Sequence, residues 1–135
     1  MSDQPAALDP KVAHAFVGNA HGDLDSVCEL LTKEPALVNA AWDWGAGDWE
    51  TGLGAAAHMG RRDIALHLIE HGARLDLFAA AMLGDVAIVR SVLAAYPATG
   101  RALGPHGIPL VEHARAGGDE AREVLALLGS VEARG

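Results

Sequence analysis

The sequence predicts an all-α chain: a solenoid of about four helix-turn-helix units carrying one extended, tryptophan-rich loop or β-hairpin finger. Three observations predict it. A turn signal, glycine and a short polar step followed by paired apolar residues, occurs four times: at Gly22, Gly60, Gly84 and Gly118. The apolar residues after each glycine fall at helical spacing, as in Ile64, Ala65, Leu68 and Ile69, which form one stripe of a helix. A single helical hairpin cannot bury both of its faces, so the copies must stack on one another.

The best-defined copy spans Thr51 to Ala73. Thr51 is placed to cap a short helix whose Leu53, Ala56 and Ala57 form a small, close-packing face. Gly60 supplies the turn, where a positive φ costs glycine nothing, and Gly72 closes the second helix. Upstream, Asp9-Pro10 is a helix start running to about Ala20, with Val12, Phe16 and Val17 inward; residues 1–8 are expected to be a tail. Asp23 or Leu24 opens the partner helix to Lys33, and Pro35 to Ala40 carries the chain out extended. Downstream, Asp76 caps a helix over about Leu77–Leu83, and a second runs over about Val86–Ala95 until Pro97 stops it. Residues 98–106 are expected as a loop broken by Gly100 and Gly104-Pro105. Pro109 starts the next helix at its first position, to about Ala116; the terminal helix begins at Asp119 or Glu120 and ends near Gly129, leaving Ser130–Gly135 as tail. The units then fall at approximately 9–40, 41–74, 75–97 and 98–129 of a single domain, 1–135.

These segments resemble the ankyrin-repeat family, in its small bacterial form. The family opening T-P-L-H-x-A-A-x-x-G is matched by Thr51-Gly52-Leu53-Gly54-Ala55-Ala56-Ala57-His58-Met59-Gly60, with Gly52 in the proline slot and Gly54 in the histidine slot. The ending L-L-x-x-G-A is matched by Leu68-Ile69-Glu70-His71-Gly72-Ala73, the closing V-N-A by Val38-Asn39-Ala40, and a second opening by Gly107-Ile108-Pro109-Leu110. The resemblance covers roughly Pro10 to Leu128. It implies a recognition scaffold that binds a protein or peptide on a concave face. That face is formed by the finger and the two residues before each turn glycine: Ala20 and His21, His58 and Met59, Met82 and Leu83, Arg115 and Ala116.

Composition narrows the function. A net charge of −8 argues against an electrostatic nucleic-acid or acidic-membrane surface. No apolar run approaches a membrane span and the polar start lacks a signal-peptide core, so a cytoplasmic protein is expected, and a monomer because both end units look able to cap the array. The single Cys28 allows no intrachain disulfide and reads as a small packing residue.

Residues 41–50 hold all three tryptophans together with Asp43, Asp48 and Glu50. With Met59, Met82 and Leu83, and with Arg115 at the far end, Trp42, Trp44, Trp49 and His58 are the expected binding residues of an apolar groove. The alternative is a small-molecule pocket under the 41–50 loop, with Asp48 or Glu50 and His58 or His106 as acid and base. No nucleotide loop, nucleophile elbow or CxxC is present. His67 and His71 share a helix face, as do His14 and His21, but neither pair has a visible third ligand, so no metal and no cofactor are expected.

Overall fold

In the computed structural model, which describes residues 4–134, eight α-helices follow one another in four pairs. The pairs are α1 (Pro10–Asn19) with α2 (Leu24–Lys33), α3 (Gly52–His58) with α4 (Arg62–Glu70), α5 (Leu77–Leu83) with α6 (Val86–Ala95), and α7 (Leu110–Ala116) with α8 (Arg122–Arg134). The members of each pair pack on each other, and α1, α3, α5 and α7 pack in that succession. Among the described residues no helix is long and apolar enough to cross a membrane.

Side-chain caps set the starts. Asp9 accepts from the Lys11 amide, Asp23 from Ser26, Thr51 from Gly54 and Asp76 from Ala79, each satisfying an amide the helix leaves free. The inner helices can approach closely because they are alanine-rich: Ala55, Ala56, Ala57, Ala79, Ala80 and Ala81 are all fully buried. Larger side chains fill the space behind them in two clusters. Phe16, Leu37, Leu53, Ile64 and Leu68 belong to the first, and Val89, Leu93, Leu110, Val124 and Leu128 to the second. Gly52 lets α3 start against α1, since a Cβ there would lie 2.8 Å from the Phe16 ring.

The finger is a two-stranded antiparallel sheet of β1 (Ala41–Asp43) and β2 (Trp49–Thr51), with Trp42 opposite Glu50. Its turn is held by Asp43, whose carboxylate accepts from the Gly45 and Gly47 amides. Alternation along a strand puts Trp42, Trp44 and Glu50 on one face, and Asp43 and Trp49 on the other. Trp49 is accordingly 62% exposed, whereas Glu50 is buried.

The structure differs from expectation in five places. Pro35–Asn39, expected to run extended, winds into a 3-10 turn that Pro35 opens. The stretch expected as a loop is ordered into 3-10 turns, Pro97–Arg101 and Pro105–Gly107, and a bridge between Leu103 and Pro109. Pro109 caps α7 rather than occupying its first turn. The terminal helix starts at Arg122, after a 3-10 turn over Gly118–Ala121, and continues to Arg134, because Gly129 interrupts the apolar stripe without breaking the helix. Leu8, placed in the tail, packs on the first cluster. Residues 1–3 and Gly135, also assigned to tails, lie outside the described residues.

Candidate metal centre

Glu50 is the centre of the site. It is the middle residue of β2, its side chain is fully buried, and three imidazoles surround it. His21 Nε2 lies 3.1 Å from Oε1, His58 Nε2 3.0 Å from Oε2, and His106 Nε2 3.2 Å from Oε2. Four different elements deliver these groups. His21 comes from the turn after α1, Glu50 from the finger, His58 from the last residue of α3, and His106 from the 3-10 turn before α7. Taking one ligand atom from each, all four lie within 4.8 Å of one another.

The surrounding hydrogen bonds fix which ring nitrogen carries the proton. His21 Nδ1 sits 3.0 Å from the Val17 carbonyl, and His106 Nδ1 sits 2.8 Å from the Asp48 carboxylate. Both oxygens can only accept, so each Nδ1 bears a hydrogen and Nε2 is the atom each ring turns toward Glu50. Asp48 also accepts from the His106 backbone amide at 2.7 Å, which holds His106 at its left-handed φ of 61°. This amide, helped by the His106 ring, holds the Asp48 carboxyl below the usual carboxylate range despite the opposing cost of desolvation.

Glu50 is similarly balanced. Burial pushes its carboxyl up, but His58, the charge on His21, the Trp44 indole and the charge on His106 together outweigh that cost and hold it below the ordinary range. The Trp44 indole donates to Oε1 at 2.8 Å. Oε2 has no hydrogen-bond partner, and neither has His58 Nε2, although the two atoms are 3.0 Å apart and buried. They are close without being aimed along a donor–acceptor line. Two such orphans at one point are the arrangement expected of ligand atoms directed at a shared cation.

Gly54 makes room for this arrangement. A Cβ there would already touch Pro105 and Thr51 at 3.4 Å and the Glu50 side chain at 3.6 Å. A side chain larger than a methyl group at this position would crowd Glu50 and Pro105, in the turn that carries His106.

Of the residues singled out from the sequence, the structure gathers Asp48, Glu50, His58, His106 and Trp44 at one place. Trp42 stacks on His14 with ring centroids 4.7 Å apart. Trp49 and Met59 are exposed, Leu83 is half-buried, and Arg115 pairs with Glu112. The groove expectation needs correcting at Met82 and Ala20, which are buried in the core. An open cleft of about 370 Å³ does lie beside the finger, but it is lined by Asp48, Gly54, Phe78, Leu103 and Pro105, without Glu50 or His58. Sequence reasoning placed His21 on the concave face and beside His14 but not with Glu50, His58 and His106, which lie 29, 37 and 85 residues away. The pairing of His14 with His21 is also replaced: His14 joins the tryptophans and His21 joins Glu50.

Two other histidine groupings stay apart from this centre. His67 and His71 share a face, with centroids 4.2 Å apart, and His67 Nε2 lies 3.4 Å from the Cys28 sulfur. His113 is fully buried; its Nδ1 donates to the Pro109 carbonyl and its Nε2 has no partner. Burial holds the His113 ring below the ordinary imidazole range. A scan against protein-family models and a search of curated proteins both return no match to the chain.

Proposed function

We propose that this chain is an ankyrin-type repeat protein whose His21, Glu50, His58 and His106 hold one divalent first-row transition-metal ion. One observation carries the reading. A buried carboxylate oxygen and a buried imidazole nitrogen face each other at 3.0 Å with no hydrogen bond between them, and two more imidazole nitrogens converge on the same carboxylate. Lone pairs so placed repel unless protons or a metal ion sit among them, and one metal ion can satisfy all four donors at once. Three imidazole nitrogens and one carboxylate oxygen suit iron, cobalt, nickel or zinc better than magnesium or calcium, which prefer oxygen. The carbonyl behind His21 and the carboxylate behind His106 are the outer hydrogen bonds that orient metal-binding histidines.

The ankyrin assignment is supported by the four helix pairs, their alanine-rich inner helices and the finger between the first two pairs. On this reading the repeat scaffold serves as a frame that brings distant loops together.

Elemental analysis after chelation and reloading with cobalt or zinc tests the proposal. The wild type should retain one equivalent through desalting, and His58→Ala should retain less than a tenth of that. Equal retention by the variant would overturn it.

The peptide-binding reading retains one supporting observation: Trp49 and Met59 are large, apolar and more than half exposed. Replacing both with alanine should abolish capture of a peptide partner without changing metal content; unchanged capture would remove that reading.

A further inference from the structure

We propose that the outer face of the finger is a docking surface for an extended segment of another protein, one that carries a lysine or arginine between two bulky apolar residues. The surface is independent of the metal reading, because Trp49 and Glu50 point to opposite faces of the finger. It shares Trp49 with the peptide reading above but not Met59, and it adds the chemistry of the partner.

Shape supplies the first argument. Trp49 lines two open clefts of about 370 Å³ each. One lies toward the start of α1, with Leu8, Pro10 and Trp42 in its wall; the other lies toward the turn before α7, with Phe78, Leu103 and Pro105. Met59 lines neither. A solvent-facing strand position is ordinarily polar, yet Trp49 is 62% exposed, and Leu103 in the second cleft is 65% exposed. The strand that carries the indole is held in advance of any partner. It pairs with β1, and Asp48 beside it accepts from the His106 amide. A tryptophan on a fixed strand is the kind of anchor on which binding surfaces depend.

Charge supplies the second. The charged residues lining the clefts are Asp43 in the first and Asp48 and Asp76 in the second, and no lysine or arginine lines either. Asp43 and Asp76 accept from backbone amides, which leave their negative charge in place. An apolar surface with acids on both sides of an exposed indole repels an acidic partner and attracts a cationic one. A guanidinium or ammonium laid on the Trp49 ring meets the negative face of the indole, with carboxylates to either side. Alternate residues of an extended segment face the same way about 7 Å apart. A cation two positions from an apolar residue on each side therefore presents all three side chains to the finger, the apolar pair entering the clefts.

The test is a titration of isotope-labelled protein, with zinc and without, by the peptide acetyl-Gly-Leu-Ser-Arg-Ser-Leu-Gly-amide, followed by NMR. The Trp49 indole N–H should shift saturably, and binding should weaken as salt is raised. Trp49→Ala should weaken binding at least about tenfold. Asp43→Asn with Asp76→Asn, which keeps the amide-accepting oxygens but removes two charges, should weaken it several-fold, and Met59→Ala should leave it unchanged. Peptides with glutamate for the arginine, or serine for both leucines, should show no saturable shift. Absence of saturable binding by the first peptide, or equal binding by either control, would overturn the proposal. Binding that survives Trp49→Ala but is lost in Met59→Ala would also overturn it while leaving the peptide reading standing. Sedimentation that shows self-association of the wild type, lost in Trp49→Ala, would overturn it in favour of a second copy of this chain.

Discussion

Glu50→Gln is the most informative substitution. It keeps the size of the side chain and an oxygen for the Trp44 N–H to bond, but removes the charge and the anionic ligand atom. In the metal-free protein its effect on melting should therefore be a few degrees at most. The metal-loaded protein behaves differently. With free metal at one hundred times the dissociation constant, binding stabilises the folded state by about 2.7 kcal/mol. For a domain of this size that raises the melting temperature by about 10 °C. Loss of an outer hydrogen bond alone weakens metal sites by about 10- to 100-fold, so loss of the buried carboxylate should cost at least about 100-fold. At the same free metal the variant is then about half loaded, worth about 0.4 kcal/mol, or 1–2 °C. Scanning calorimetry of both proteins, with and without metal, reads the difference directly. A metal-induced rise of about 10 °C in Glu50→Gln would refute the reasoning, because it would place the bound ion somewhere else.

Other consequences follow from the same geometry. Gly54→His should push away Pro105 and the His106 turn; helical circular dichroism should persist while metal retention falls below a tenth. Trp44→Phe removes the N–H that holds Oε1 together with part of the ring that packs against His14, His21 and His106, and isothermal titration should show metal affinity about 10- to 100-fold weaker. His113 is held below the ordinary imidazole range by burial, so below about pH 6.5 the unfolded chain binds more protons at this residue than the folded one. Its contribution must reduce stability as pH falls from there toward its folded value, by up to about 1.4 kcal/mol per pH unit. Urea denaturation of wild type and His113→Gln should show a shallower pH slope in the variant across that window; parallel slopes would contradict the burial argument.

The helices were readable because their signals are local. Asp9-Pro10, Thr51 and Asp76 are caps whose partners lie two or three residues away, and each works as its sequence neighbourhood suggests. The finger was partly readable. Tryptophans at 42 and 44 alternate with acids, and that period of two already separates an inward face carrying Glu50 from an outward face carrying Trp49. The centre was readable only in pieces. Asp48, Glu50, His58 and His106 stood out as acid–base candidates, but convergence of three imidazoles on one carboxylate depends on how successive helix pairs stack. His21 lies at a turn whose relation to Glu50 is set by Phe16 packing over Gly52, a contact that no spacing rule encodes. The ordered turn at Pro105–Gly107 escaped for a related reason. Glycine and proline signal a break, but the order there comes from Asp48, 58 residues upstream, binding the His106 amide and ring.

The central claim is that one ion sits among His21, Glu50, His58 and His106. The most direct measurement is an anomalous difference map from crystals of the cobalt- or zinc-loaded protein, collected on both sides of the metal absorption edge. The account predicts a single strong peak within bonding distance of His21, His58 and His106 Nε2 and a Glu50 carboxylate oxygen. An empty centre, or a peak confined to the Cys28–His67 contact, would contradict it.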